Sequence, residues 1–222
     1  MAILYVVSTP IGNMQDITLR ALEVLKEADL ILAEDTRQTG KLLTKYGIGR
    51  PMESFFEHNE ERKIDSIISK LKSGLEIALV ADSGTPTISD PGFKLVRKSI
   101  GEGISVIPVP GPNAVLTALV ASGLATDKFI FLGYFPKKPG KQKEILEFID
   151  KTLSMQPVTV IFFESPYRVK KTISILASRF PEKETVIARE LTKKHEEFLR
   201  GKLKDLATKE FSTKGEFTIL LR

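Results

Sequence analysis

The 222-residue chain is predicted to be an α/β protein with two domains. Short apolar or β-branched runs alternate with amphipathic helical patterns along its whole length, which is typical of α/β layering. Several of these runs end in loops rich in proline and glycine, where an α/β sheet places its ligands. A break in the alternation at residues 123–128 indicates a boundary between an N-terminal domain, residues 1–124, and a C-terminal domain, residues 125–222.

The N-terminal domain is predicted to contain a mostly parallel sheet, because strands and helices follow one another as βα units. The predicted strands are Ile3–Ser8, Leu30–Ala33, Ile77–Ala81 and Ile104–Val109. The predicted helices are Thr18–Ala28, Thr36–Tyr46, Glu60–Lys72, Phe93–Ile100 and Asn113–Ser122.

The C-terminal domain is predicted to be a smaller α/β unit with a mixed sheet, because fewer crossover helices separate its strands. Its predicted strands are Phe129–Gly133, Val158–Phe163, Thr185–Arg189 and Phe217–Leu221. Its predicted helices are Lys141–Leu153 and Tyr167–Arg179.

Composition narrows the class of protein. No apolar run approaches the ~20 residues that span a bilayer, so a membrane protein is not expected. Residues 1–7 lack a basic segment and a cleavage site and are typical of a first strand, which predicts a cytoplasmic location. The chain has no cysteine and only two histidines, His58 and His195. Thiolate metal sites and disulfides are therefore excluded, and no metal cofactor is expected.

Three loops follow predicted strands of the N-terminal domain: loop 1 (Ser8–Asn13), loop 2 (Ala81–Gly92) and loop 3 (Val109–Ala114). Loop 2 holds two prolines, two glycines and two aspartates within twelve residues, which fixes an unusual backbone path. Loop 1 alone is equally consistent with a structural turn. Because all three loops lie at the carboxyl ends of strands, together they predict a ligand-binding cleft.

Glu34, Asp35 and Arg37 lie where the second predicted strand meets its helix. They are consistent with a capped helix start and a local ion pair, or with an acid that positions or deprotonates a substrate hydroxyl. In the second half, Phe163 is a candidate wall for an aromatic or adenine pocket. The segment around Phe163 is not specific by itself.

Read in order, the motifs resemble those of the tetrapyrrole-methylase-like superfamily over nearly the whole chain. They are Ser8–Asn13, Ala33–Arg37, His58–Glu60, Asp82–Gly92, Pro110–Asn113, Phe163–Arg168, Ala188–Lys193 and Lys214–Phe217. Relatives that methylate tetrapyrrole rings carry a glycine-rich first loop, and Gly-Asp-Pro where this chain has Gly84-Thr85-Pro86. The resemblance therefore favours the branch that methylates the ribose 2′-hydroxyl of a cytidine in small-subunit (16S) ribosomal RNA.

The resemblance implies that S-adenosylmethionine, the methyl donor, lies in a cleft between the two domains, and that the protein is a homodimer. The residues that match the family's donor-binding pattern are Pro10, Asp82, Gly84, Thr85, Ile88, Asn113, Ala114, Phe163, Ala188, Phe217 and Thr218. Members of this branch often extend beyond the last strand, so RNA contacts of such an extension are expected to be absent or replaced here.

Methylation of a 2′-hydroxyl benefits from a base that removes its proton. Asp35 is the leading candidate, with Glu34 and Glu164 behind it, and Arg37 is expected to hold the acid or an RNA phosphate. The net charge of +5 favours a polyanionic partner. Basic residues that are expected to bind RNA phosphates are Lys137, Lys138, Lys141, Lys143, Arg168, Lys193 and Lys194.

Two other classes of function remain open. A methyltransferase acting on a tetrapyrrole, or on a protein modification such as diphthamide, would share the donor site but need a different acceptor pocket. A non-catalytic RNA-binding protein on the same scaffold would show no affinity for the donor.

Overall fold

The computed structural model describes residues 2–222 and divides into two compact units, Met1–Asn113 and Ala114–Arg222. Each unit is an α/β domain built on a five-stranded sheet. The sheet of the first unit is entirely parallel and that of the second is mixed, which confirms the predicted fold class.

The first unit has the strand order β3-β2-β4-β1-β5. Its strands are β1 Ile3–Val7, β2 Leu30–Ala33, β3 Met52–Ser54, β4 Glu76–Val80 and β5 Ser105–Val109. Its helices are α1 Leu19–Glu27, α2 Thr36–Lys45, α3 Glu60–Lys72 and α4 Phe93–Gly101, with a short 3-10 turn at Met14–Asp16. The edge strand β3 was not predicted, because three partly exposed residues carry no apolar pattern.

Helices cover both faces of the parallel sheet, so its central strands are apolar almost without interruption. On one face, Ile31 and Ala78 pack with residues of α1 and α2 such as Leu25. On the other face, Leu32 and Leu79 pack with residues of α3 and α4. Because every strand runs the same way, the loops after β1, β2, β4 and β5 all emerge at one edge.

The second unit has the strand order β6-β7-β10-β8-β9, in which only β6 and β7 are parallel. Its strands are β6 Phe129–Tyr134, β7 Thr159–Glu164, β8 Glu184–Arg189, β9 Glu197–Lys202 and β10 Phe217–Leu221. Its helices are α5 Ala114–Ser122, α6 Pro139–Met155, α7 Val169–Arg179 and α8 Leu203–Thr208. Strand β9 and helix α8 were not predicted, because β9 is largely polar and α8 is only six residues long.

Helix α5 belongs to the second unit, whereas the predicted boundary assigned it to the first. It packs on β8 and β10, and Arg200 of β9 donates hydrogen bonds to its last carbonyls, 2.6 Å to Ala121 O and 3.0 Å to Ser122 O. Gly123 follows the helix with φ +83°. A glycine with positive φ is the usual end of a helix, and this accounts for the break that the sequence shows here.

None of the helices within residues 2–222 combines the length and the apolar composition needed to cross a bilayer.

Candidate active site

Loops 1, 2 and 3 are joined to one another at the carboxyl edge of the first sheet. Thr9 and Gly84 exchange two backbone hydrogen bonds, N–H to O, of 2.8 and 3.0 Å. The Thr9 hydroxyl also donates to Ala81 O at 3.1 Å, and Ser8 N donates to Val109 O at 3.2 Å. The three loops thus form one continuous rim, as their positions after neighbouring strands predicted.

The hydroxyl of Thr85 links all three loops. It lies 3.1 Å from the Ser8 hydroxyl, donates to Pro112 O at 3.2 Å and accepts from Asn113 Nδ2 at 3.2 Å. Loop 3 can approach so closely because of Gly111, where an added Cβ would lie 3.0 Å from Ser8 Cβ. Thr85 and Asn113, both predicted site residues, are therefore in direct contact.

Loop 2 holds an unusual backbone. Thr87 and Ser89 have φ of +74° and +65°, a region of backbone conformation that residues other than glycine rarely adopt. Gly92 has φ +122°, and an added Cβ would lie 2.6 Å from Leu79 Cδ2. Left-handed backbone at residues other than glycine costs about 1–3 kcal/mol each and clusters at functional sites. The conformation of loop 2 is thus held by its surroundings against local preference.

Three carboxyl groups lie close together at this rim. Asp82 accepts a hydrogen bond from Asp35 N at 2.9 Å, and its own N–H lies 3.5 Å from Glu34 Oε2. Burial raises the pKa of Glu34, and the negative charge of Asp82 raises it further. Burial, together with the charges of Glu34 and Asp82, raises the pKa of Asp90 from its ordinary 3.8 to about 7. A pKa in this range lets Asp90 exchange a proton near neutral pH.

Sequence reasoning did not single out Asp90, although it lies within loop 2. The density of aspartate in a proline- and glycine-rich loop was the available signal. What the sequence could not show is that the fold brings Asp90 close to Glu34, an acid more than fifty residues earlier in the chain.

Asp35 caps helix α2 and is fully engaged with Arg37. Its carboxylate accepts from Arg37 N at 2.9 Å, from Nε at 3.0 Å and from Nη2 at 2.6 Å. These hydrogen bonds lower the pKa of Asp35 to about 2. A general base works best with a pKa near the working pH, so Asp35 is poorly suited to be the base that the sequence suggested.

Three of the predicted donor-binding residues, Phe163, Ala188 and Thr218, lie in register across three strands. Thr218 on β10 pairs with Phe163 on β7 and with Ala188 on β8. Paired residues point to the same side of a sheet, so these three side chains form one row. Phe217 points to the opposite side and is part of the hydrophobic core, where its ring lies 6.3 Å from that of Phe211.

Glu164, a predicted catalytic residue, has a fully buried side chain whose oxygens are occupied. It accepts from Arg168 Nη2 at 2.6 Å, from the Thr172 hydroxyl at 2.5 Å and from Ser165 N at 2.6 Å. This arrangement fixes the loop after β7 and holds both carboxylate oxygens in hydrogen bonds within the unit, away from solvent. The structure therefore favours a structural role for Glu164 over a catalytic one.

Among residues 2–222, no group of three or more histidine, aspartate or glutamate side chains has an arrangement that could hold a metal ion.

Comparison with known proteins decides the family. The family model of tetrapyrrole (corrin/porphyrin) methylases matches residues 3–207. The chain belongs to this tetrapyrrole methylase family. Among solved structures, the fold is similar to uroporphyrin-III-C-methyltransferase from Thermus thermophilus, with TM-score 0.67, 18% identity, and 99% and 94% of the two chains covered. It is also similar to a diphthine synthase, with TM-score 0.72, 15% identity, and 99% and 89% covered.

Curated relatives with much higher sequence identity are each named ribosomal RNA small subunit methyltransferase I. The protein from Halalkalibacterium halodurans is 47% identical over 98% of this chain and 75% of its own length. The protein from Bacillus subtilis is 46% identical over 100% and 75% of the two chains. The protein from Thermotoga maritima is 45% identical over 100% and 98%.

Replacing Thr85 with valine tests whether its hydroxyl holds the rim of this family member together. Thr85→Val removes the group that contacts Ser8, Pro112 and Asn113 and is expected to lower the free energy of unfolding by about 1–2 kcal/mol. Urea denaturation measures the loss. Thr85→Ser keeps the hydroxyl and should lower the free energy of unfolding by less. Wild-type stability of Thr85→Val would show that the hydrogen bonds of this hydroxyl contribute no net stability.

Replacing Asp90 with asparagine tests the raised pKa. A carboxyl group whose pKa is about 7 when folded and 3.8 when unfolded favours the folded state at low pH and loses that contribution as pH rises towards 7. The stability of the wild type relative to Asp90→Asn should therefore fall between pH 4 and pH 7. Thermal denaturation across that range measures the difference; a constant difference would contradict the raised pKa.

Proposed function

We propose that the chain transfers a methyl group from S-adenosylmethionine to the ribose 2′-hydroxyl of a cytidine in small-subunit (16S) ribosomal RNA. The observation that carries this proposal is the set of relatives named for methylation of small-subunit ribosomal RNA, 45–47% identical over 98–100% of the chain. Gly84-Thr85-Pro86 also departs from the Gly-Asp-Pro of tetrapyrrole-acting relatives and supports the RNA branch.

The residues proposed to bind the donor are Pro10, Asp82, Gly84, Thr85, Ile88, Asn113, Ala114, Phe163, Ala188 and Thr218. Two features support this choice. Gly84 has φ +81°, a conformation that favours glycine, and a residue without a side chain allows a ligand to approach the backbone closely. The row on β7, β10 and β8 offers an aromatic ring, a hydroxyl and a small side chain side by side. Phe217 is left out because it lies in the core.

In the reaction, the ribose oxygen attacks the methyl carbon, the carbon–sulfur bond breaks, and S-adenosylhomocysteine leaves while the hydroxyl proton passes to a base. Alignment of the two reactants supplies much of the acceleration, and a positioned base adds roughly 10²–10⁴-fold.

Glu34 fits the base better than Asp35, since burial raises its pKa towards neutrality whereas that of Asp35 is about 2. Arg37 is 87% exposed at its side chain and is proposed to bind a phosphate.

The charge of the second unit supports an RNA partner. Residues 114–222 hold 20 lysines and arginines against 13 acids, a net +7, whereas residues 1–113 hold 13 against 15, a net −2. Several of the expected phosphate-binding side chains already pair with acids, as Lys141 does with Glu144 and Lys193 does with Glu190. Exposed pairs such as Lys141–Glu144 contribute little energy, whereas the Lys193–Glu190 pair is partly buried. We therefore propose the second unit as the main RNA-binding domain.

We also propose the homodimer that the family resemblance implies, together with a cytoplasmic location and the absence of a metal cofactor.

Methyl transfer from labelled S-adenosylmethionine tests the proposed function. Label is expected in small ribosomal subunits or their RNA and not in porphyrinoid or protein acceptors. Mapping of 2′-O-methyl groups in the ribosomal RNA should show one cytidine that is methylated only when the protein is present. Label in a porphyrinoid would instead favour the tetrapyrrole alternative, and RNA binding without any donor affinity in calorimetry would favour a non-catalytic protein.

Two carboxyl variants test the base. Glu34→Gln should lower kcat about 10²–10⁴-fold, because it removes the proton acceptor while its size is unchanged. Asp35→Asn should have a smaller effect, because it only weakens the Arg37 pair. Donor affinity from calorimetry should stay near wild type in both variants. Near-normal turnover by Glu34→Gln would exclude Glu34, and a loss confined to Asp35→Asn would restore Asp35 as the base.

A further inference from the structure

A pocket of about 720 Å³ lies at the carboxyl ends of β6 and β7. These two strands are parallel neighbours, so the loops that follow them emerge at the same edge of the second sheet. The pocket is lined by Tyr134, Phe135, Pro136, Lys137, Ser165, Tyr167 and Arg168. None of these residues belongs to the proposed donor site. Its volume falls within the roughly 300–1,000 Å³ typical of small-ligand pockets.

The walls of this pocket are held in place by Arg168. Its guanidinium donates to Phe135 O at 2.9 Å and to the Ser165 hydroxyl at 3.3 Å, and it pairs with buried Glu164 at 2.6 Å. The two loops are thereby tied to each other and to the core of the unit. A pocket with such a frame is formed before a ligand arrives, which reduces the entropy lost on binding.

Two tyrosine rings at the pocket are unusually accessible. Tyr167 is 96% exposed and Tyr134 is 56% exposed. The ring of Tyr134 rests edge-on against Phe163, with centroids 5.6 Å apart, so its position is fixed. Exposed aromatic rings on a rigid frame are the surfaces on which proteins stack the bases of single-stranded nucleic acids.

Positive charge lies beside these rings. Lys137 lines the pocket and Lys138 follows it, and both side chains are exposed. Within the described part of the chain neither lysine forms an ion pair with a carboxylate, whereas Lys141 and Lys170 each pair with a glutamate. The charges of Lys137 and Lys138 are thus not neutralised by a carboxylate of the described residues, whereas the charge of Arg168, which also lines the pocket, is paired with Glu164.

We propose that this pocket binds an unpaired nucleotide of the RNA substrate, with its base stacked on Tyr167 and its phosphate at Lys137 and Lys138. The proposal rests on the proposed function, since it takes RNA to be the methyl acceptor. A base within a duplex hides both of its faces in the helical stack. The pocket therefore selects single-stranded RNA over duplex RNA.

Tyr167→Ala tests the stacking contact. Affinity for a labelled single-stranded RNA oligonucleotide, measured by fluorescence anisotropy, should fall about five- to a hundredfold, the range found for removal of one stacked base. Affinity for a duplex of the same sequence should stay within about twofold. Tyr167→Trp keeps a stacking ring and should retain the wild-type preference. In methyl transfer, Tyr167→Ala should raise KM for RNA with little change in kcat.

Phe148→Ala is the matched control, because Phe148 is an exposed aromatic residue on α6 of the same unit and does not line the pocket. It should bind both RNAs as the wild type does. Wild-type affinity of Tyr167→Ala for single-stranded RNA, or an equal loss in Phe148→Ala, would overturn the proposal. Methyl transfer by the wild-type protein is measured in parallel. If it fails on every RNA while Tyr167→Ala still loses affinity, the pocket is supported and only the proposed function falls.

Discussion

The parallel pairing of β1 with both β4 and β5 is the constraint on which the rest of the first unit depends. It places three loops at one edge of the sheet, close enough for the Thr9–Gly84 backbone bridge and for the contacts of the Thr85 hydroxyl. With that rim assembled, loop 2 can hold Thr87 and Ser89 in a conformation they would not adopt alone. The same arrangement brings Asp90 close to Glu34.

Environment, more than residue type, separates the roles of the acids. A guanidinium lowers the pKa of Asp35 to about 2, whereas partial burial near other carboxyl groups raises the pKa of Asp90 to about 7 and also raises the pKa of Glu34. Glu164 is buried as well, but its hydrogen bonds satisfy it completely. Small changes around one carboxyl group are therefore sufficient to retune its pKa.

The sequence predicted most of the fold because apolar runs and helical patterns are strong local signals. Leu30–Ala33, Glu60–Lys72 and Phe217–Leu221 have the bounds that their patterns indicated. Strand β9 was missed because its pairing with β8, and not its own composition, makes it a strand. The three-loop rim could be predicted because each loop follows the carboxyl end of a predicted strand. The choice of Glu34 over Asp35 as the base could not be predicted from the sequence, because it depends on which carboxyl group contacts a guanidinium and which one is shielded from water.

The Arg168–Glu164 pair links the core of the second unit to a surface pocket, and this limits how the two positions can change. Loss of either partner leaves the other without its ion pair, and an unpaired buried carboxylate lowers the stability of the folded state by several kcal/mol. Replacement of both by apolar residues of matching size can be nearly neutral. The two positions are therefore expected to co-vary during evolution. An inactive variant at Glu164 would accordingly report a displaced loop and not a missing proton acceptor.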